Sequence, residues 1–403
     1  MTVGFRNLAV CAAAALVGIA SSAIPVANAA DWPHWRGPNN DGISAETRLL
    51  SQWSVSGPRR VWDVQVGDGY SSVAVAGGKL YTLGNRGNRD TVYCFNAANG
   101  LPIWNYSYPC SAGDPSGPRA TPAVVGNFVY TLSIDGLALC LNASTGRMIW
   151  QRNVAKETNA QRPQWGFSGS PLVEGSVVIY NVGTSGAALD KTTGRPAWST
   201  GSGAAGYATP VSYTVGRQHG VAIFAASGLV SVNPANGRRN WAFPWQTSYD
   251  VNAADPIFTG DTVFISSNYG KGCALLRVGN GRPAVAWQNR NMKNHFNSCV
   301  LLNGALFGND ENTLKCIDLR TGAERWQSRG MGKGGLIAAD GKLIVLTERG
   351  ELVLAAATAD KYRELARTQI LRGTCWTQPA LANGLLYCRS HEGDLVCLDM
   401  RSK

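Results

Sequence analysis

Between Thr121 and Trp150 the chain reads TPAVVGNFVYTLSIDGLALCLNASTGRMIW. An alternating apolar run covers Ala123 to Tyr130, a turn falls at Asp135-Gly136, and a second run covers Leu137 to Leu141. Alternation of period two between glycine turns predicts short, antiparallel strands. One such unit is a small sheet with two apolar faces. It cannot bury both alone, so it must stack against copies of itself.

The copies are present. A Thr/Asn-Gly pair followed by Trp at the fourth position recurs at Asn99-Gly100 with Trp104, Thr145-Gly146 with Trp150, Thr193-Gly194 with Trp198, Asn236-Gly237 with Trp241, and Thr321-Gly322 with Trp326. A looser copy, Asn280-Gly281 with Trp287, carries two extra residues. With Trp62 the indoles fall roughly every 40–50 residues, the period of propeller blades with several short strands each. Blades start near Ser72, Thr121, Ser170, Thr209, Asp255, Ser298, Gly335 and Gln378. The last has the early strands of a repeat and no Thr-Gly-Trp end, whereas Arg59 to Val66 matches that missing end. The expectation is an all-β, eight-bladed propeller of four-stranded antiparallel blades, closed by pairing of the terminal strands, which removes open edges. Seven blades is the alternative, because Thr358 to Leu365 has neither the Gly nor the Trp, leaving Leu365 to fill the Trp site. The column Trp62, Trp104, Trp150, Trp198, Trp241, Trp287 and Trp326 reads as mortar between blades rather than as a cofactor box.

Residues 1–29 carry a secretory pattern: Arg6, the apolar run Leu8 to Ala20, and the small-residue site Ala27-Asn28-Ala29. Cys11 lies inside the apolar run behind Val10, a poor setting for lipidation. No later segment is long and apolar enough to span a bilayer. The expected location is therefore periplasmic or extracellular. Residues 30–58, with Trp32, Trp35, Gly37-Pro38 and Asp41-Gly42, predict an irregular segment pinned to the propeller, and 59–403 the propeller itself. Net charge is +11. Lys and Arg are scattered, which together with export excludes a nucleic-acid role and leaves a solvated basic surface or an acidic envelope partner.

Cys94, Cys140, Cys316 and Cys397 hold one repeat position and read as small buried residues; Cys110, Cys273, Cys299, Cys375 and Cys388 are unassigned. The four histidines have no metal-ligand spacing and no nucleophile elbow occurs. The residues just before each innermost strand gather at one mouth of a propeller channel. They are Tyr70, Arg119, Phe167, Tyr207, Asn252, His295, Lys333 and Trp376, a mixture of rings and cations suited to an anion or a sugar.

The units, A-x-x-T-G-x-x-x-W after a C/A-L-D/N strand, resemble the PQQ-like β-propeller repeat over residues 59–403. Two classes share that repeat: quinoprotein dehydrogenases, which hold pyrroloquinoline quinone and calcium on the axis, and the lipoprotein propeller of the outer-membrane β-barrel assembly machine, a scaffold. The stretches DWPHWRGPNNDGIS and GYSSVAVAGGKLYTLG look more like exported stand-alone propellers. The dehydrogenase resemblance implies a vicinal Cys-Cys disulfide, a stacking Trp, calcium ligands and a catalytic Asp. The vicinal pair is absent, and Asn309-Asp310-Glu311 with Trp376 does not assemble such a site. The expectation is a monomeric, non-enzymatic protein-binding or scaffold module in the cell envelope, without cofactor or metal. The alternative is a quinoprotein-like oxidoreductase or a sugar-binding protein using the axial mouth.

Overall fold

A computed structural model describes residues 1–2, 30–279 and 281–402; residues 3–29, which hold the secretory pattern, Asn280 and Lys403 lie outside the described residues. Eight sheets follow one another around a closed ring. Blades 1 to 7 are built from consecutive strands, beginning at the axis with Ala74–Ala76, Ala123–Val125, Leu172–Glu174, Val211–Val215, Ile257–Thr259, Val300–Leu302 and Gly335–Ala339. Blade 8 takes Ala380–Ala382, Leu385–Arg389 and Asp394–Asp399 from the C-terminus and Arg59–Gln65 from the N-terminal side. The two ends pair antiparallel, from Arg59 with Asp399 to Gln65 with Asp394. Blade 7 has all four strands, so the count is eight and the seven-blade alternative falls.

The repeat residues explain how blades join. In blade 1, Tyr81, Cys94 and Trp104 stand opposite one another on three neighbouring strands. Blade 2 repeats this with Tyr130, Cys140 and Trp150, and blade 8 with Tyr387, Cys397 and Trp62. Cys is the small residue that lets a phenol and an indole close over it. In each case phenol and indole donate to one shared carbonyl of the next blade: Ala143 from Tyr81 and Trp104 (both 3.0 Å), Lys191 from Tyr130 (3.1 Å) and Trp150 (3.0 Å), and Ala97 from Tyr387 (3.1 Å) and Trp62 (3.0 Å). The indole then lies on that blade's turn glycine. A Cβ at Gly100, Gly146, Gly194 or Gly237 would meet the preceding blade's indole at 2.6 to 2.8 Å. These glycines also hold φ of 69° to 72°, so the position excludes a side chain twice over. The nine described cysteines are all buried free thiols.

Three joints depart from the rule. Trp326 donates to the Thr358 carbonyl at 2.8 Å but meets Tyr362, at 5.6 Å between centroids, where other blades have the glycine. The two extra residues after Gly281 leave its Cβ position empty within 4 Å, and the indole of Trp241 donates to its own blade's Tyr213 at 2.8 Å instead. Tyr213 in turn stacks on Phe258 of blade 5 at 4.2 Å. In blade 7 the residue opposite Leu354, where other blades carry Trp, is Ala366 and not Leu365. The reason is the bulge immediately before the Trp position: Leu365 is its extra, unpaired residue, as Ile103 is in blade 1. The incoming chain covers this face: Val55 accepts from Thr368, and Trp53 packs into the same cluster as Leu365 and Ala366.

At the hub, the residue that begins each blade passes a hydrogen bond to the next. The Ser72 amide donates to the Thr121 hydroxyl (3.0 Å), Thr121 to Ser170 (2.9 Å), Ser170 to Thr209 (3.0 Å), Thr209 to the Asp255 carboxylate (2.9 Å) and Asp255 to Ser298 (2.8 Å). Gln378 closes the ring, accepting from the Ser72 hydroxyl at 2.7 Å and donating to Leu336 at 2.8 Å. Gly335 interrupts the series because a Cβ there would stand 2.6 Å from the Gln378 Cα.

The segment 30–58 does more than rest on the propeller. Trp32 pairs with Val75 of blade 1, Pro33 accepts from Val124 of blade 2, and Ile43–Ser44 adds a parallel strand to blade 7 at Ala338 and Ala339. Between them the chain crosses the channel. Arg36, fully buried, donates to Cys299 of blade 6 at 2.8 Å, and Trp35 donates to Asp255 at 2.7 Å.

Two substitutions test the joint. Trp150→Ala should lower global stability by about 3–5 kcal/mol in urea melts. Gly194→Ala should cost about 1–3 kcal/mol more than Gly175→Ala, because both glycines hold positive φ but only Gly194 has an indole (Trp150, 2.7 Å) where the new methyl would go. Equal midpoints for the two alanine variants would show that the indole does not rest on the glycine.

Candidate functional site

The hub ring fixes the register of the mouth. Side chains two residues before each ring member point into one cavity of about 330 Å³: Tyr70, Arg119, Ser168, Tyr207, Ala253, Phe296, Lys333 and Trp376. Five of these stand among the residues expected from the sequence, and His295 also lines the cavity. Phe167 and Asn252 do not. Each lies one residue before the inward position, and a shift of one in extended chain turns a side chain to the other side. Phe167 is fully buried in the core between blades 2 and 3. Asn252 is fully buried as a frame residue, donating to Ala225 (2.8 Å) and Trp245 (3.0 Å) and accepting from the Ser267 hydroxyl (2.8 Å). Counting from the Ser/Thr/Asp column that starts each blade would have found Phe296, Ser168 and Ala253.

Ser168 and Ala253 are small, and aromatic side chains from elsewhere occupy the space they leave. Trp165 arrives from the loop before blade 3 and Tyr269 from the turn between the second and third strands of blade 5. Neither follows from the repeat. The rings form an unbroken series around the mouth: Tyr207, Trp165, Tyr249, Tyr269, His295, Phe296, Trp376, Tyr70 and His391, with centroid steps between 4.0 and 6.1 Å. Trp376 is fixed by its indole N–H to Glu348 at 2.8 Å. The floor is Trp35, held by Asp255 from the hub ring, so the cavity is closed on the side of the N-terminal segment.

Two cations stand over the rings. The Arg119 guanidinium lies 5.8 Å from the Tyr70 centroid, and the Lys333 ammonium lies 5.7 Å from Phe296 and 5.8 Å from Trp376. Asp255 is the one carboxylate lining the cavity among the described residues. It is committed to Trp35 and the Thr209 amide, with Arg36 at 3.7 Å. Burial pushes the Asp255 carboxyl up and the Arg36 guanidinium down, against the attraction between them. The site therefore offers aromatic faces, two cations and few acidic donors. That set does not fit a calcium–quinone pair, since a hard divalent cation needs six or more oxygens and no cluster of three or more His, Cys, Asp or Glu side chains suited to a metal occurs among the described residues.

Burial lowers His295 to about 4, helped by Lys333. Glu311 stands 3.6 Å from its Nδ1, but that carboxyl is itself pushed up by burial and also faces Lys333 at 3.9 Å, so desolvation decides. The unfolded chain protonates this histidine near 6.5 and the folded one near 4. The protein thus loses stability as pH falls from about 6.5 toward 4, where the unfolded state binds the extra proton. His295→Phe should flatten the acid limb of a plot of urea midpoint against pH in that window, leaving only the share of the other histidines. An unchanged slope would place His295 in water. Lys333→Met should leave the neutral-pH midpoint almost unchanged, because this ammonium is half exposed.

Comparison with known proteins adds the following. A curated outer membrane protein assembly factor BamB of Yersinia pestis is 24% identical over 315 residues, spanning 73% of this chain and 77% of that protein. The crystal structure of BamB from Moraxella catarrhalis superposes with a TM-score of 0.66 at 15% identity, over 85% of this chain and all of that one. A europium-containing methanol dehydrogenase superposes with a TM-score of 0.70 at 13% identity, over 92% of this chain and 89% of that one, which speaks for the fold alone. The family model described as outer membrane protein assembly factor BamB matches residues 88–328 and 310–403, and the chain belongs to that family of PQQ-like repeat propellers.

Proposed function

We propose that this propeller is a protein-binding scaffold of the cell envelope that serves the assembly of outer-membrane proteins. The reading draws on the family and on the curated relative whose name states that role. The observation that carries it on this chain is a rim patch. Outer strands of blades 1 and 2, Pro102–Pro109 and Met148–Asn153, carry Ile103, Met148 and Ile149 exposed at 43%, 39% and 37%, with Leu101 at 62% beside them. The Tyr106 hydroxyl meets the Met148 sulfur at 3.3 Å, so the two strands touch across the blade boundary. Contiguous exposed apolar side chains on a rigid sheet edge mark a contact surface for another protein. The free strand edge beside them offers backbone groups to an added strand.

The oxidoreductase alternative has no comparable support. The likeness to the dehydrogenase is one of fold, and fold alone does not carry an activity. The cavity's donor set gives a quinone-bound metal too few oxygens.

The test is a crosslinking pull-down from native envelope, read for outer-membrane assembly components, with the wild-type chain and an Ile103→Asp/Ile149→Asp variant. The expected outcome is recovery of those components by the wild type and loss of most of that yield by the variant at an unchanged melting temperature. Recovery of none, or equal recovery by both, overturns the rim as the contact surface.

A further inference from the structure

We propose that the axial cavity is a binding site for a small cyclic carboxylate bearing hydroxyl groups, independent of the rim. Three observations converge on it. The first is unspent positive charge. Arg119 is largely buried, and its two hydrogen bonds run to the backbone carbonyls of Gly117 (2.6 Å) and Pro115 (2.7 Å). A guanidinium has five N–H donors, and no carboxylate lies within ion-pair distance of this one among the described residues. Lys333, on the other side of the Tyr70–Trp376 stack, has its nearest carboxylate, Glu311, at 3.9 Å. A buried cation left with backbone acceptors only is costly unless an anion joins it.

The second observation is a hydroxyl on the wall. Ser168 lines the cavity and donates to the Gly166 carbonyl at 3.3 Å, which leaves its oxygen to accept. A hydroxyl has two acceptor lone pairs besides its donor, so it suits a ligand O–H. The third is shape. The floor is an indole, Trp35, the wall is a stack of rings, and the space of about 330 Å³ sits at the small end of ligand pockets. Flat or sugar rings lie well on aromatic faces. Anion, donor and ring together describe one chemistry, a ring acid with hydroxyls. A sugar acid and a hydroxylated aromatic acid both satisfy it.

The experiment uses the mature chain, 30–403, and intrinsic tryptophan fluorescence with calorimetry. The probes are D-glucuronate and 4-hydroxybenzoate, each against its uncharged counterpart, D-glucose and phenol. The expected result is saturable binding of at least one acid, at least tenfold tighter than its neutral partner. Which acid binds assigns the source. Arg119→Met and Lys333→Met should each weaken that binding at least tenfold, and Ser168→Ala should weaken it by removing an acceptor. Lys333→Met keeps the test decisive if Arg119→Met folds poorly. Binding of neither acid, equal binding of the neutral partners, or unchanged affinity in Lys333→Met overturns the proposal. The rim variant Ile103→Asp/Ile149→Asp should bind the acid as the wild type does, so failure at the cavity and failure at the rim are read separately.

Discussion

The structure depends on an indole lying on the next blade's glycine. A four-stranded blade has two apolar faces and no way to bury both, so stability comes from the joint between blades. Six joints combine the area of a Trp with a carbonyl that receives the indole N–H, and in three of them a phenol O–H as well. That acceptor sits three residues before the glycine, at Ala97, Ala143 and Lys191. A polar tip on a large apolar side chain therefore fixes rotation as well as distance. Repeating one joint geometry around the ring fixes the angle between blades, and the blade number follows from that angle. The chain break is hidden by the same device: Trp62, from the N-terminal strand, docks on Gly100 of blade 1 just as Trp104 docks on Gly146. Arg389 reinforces this closing joint with carbonyls of Ser71, Leu83 and Gly67 at 2.7 to 3.0 Å, buried deeply enough that its guanidinium falls to about 10.

The joint pushes a second problem to the axis. Strands that start at the hub leave their first amides facing a narrow channel, away from water and from a neighbouring strand. Buried amides need acceptors, and a hydroxyl or carboxylate from the adjoining blade is the nearest source. This explains why Ser, Thr and Asp open the blades and why Asp255 stands at one of these places. Its two oxygens do two jobs, one inside the ring to the Thr209 amide and one below it to the Trp35 indole. The N-terminal segment is attached to the hub through that carboxylate, and an open channel becomes a cup.

This division decides what could be read from the chain. The joints are local: Gly and Trp four residues apart recur wherever a blade must dock, so blade number and terminal closure were legible. The hub column was legible as well, because six blades meet the same amide problem with Ser, Thr or Asp. The mouth was legible only where counting was anchored. Phe167 and Asn252 were placed one residue off since nothing in their own loops marks which neighbour faces the axis. Trp165, Tyr249 and Tyr269 come from loops whose path is set by contacts between blades, and no spacing encodes that. Trp35 carries no repeat signal at all. Its place follows from a chain that pairs with blades 1 and 2 on one side and blade 7 on the other, so whatever lies between must cross the axis. Ala366 differs again: the bulge common to all outer strands moves the indole register by one, and without a Trp in blade 7 the sequence offers no landmark for it.

The same physics separates the two surfaces on which function is placed. The net charge of +11 is spread over a solvated exterior, where salt screens interactions beyond about 10 Å. At the rim it contributes little to partner choice, and exposed Ile103, Met148 and Ile149 offer mainly apolar area. Inside the cup, two cations sit among seven of the rings over an indole floor, partly withdrawn from water, where screening is weaker than outside. A charge there weighs more than several outside. Protein docking at the rim and an occupant of the hub draw on separate residues, since none of the exposed rim side chains lines the cavity. Coupling between the two sites would need a blade that moves, and the N-terminal segment, tied to blades 1, 2, 5, 6 and 7 at once, is the element that prevents it.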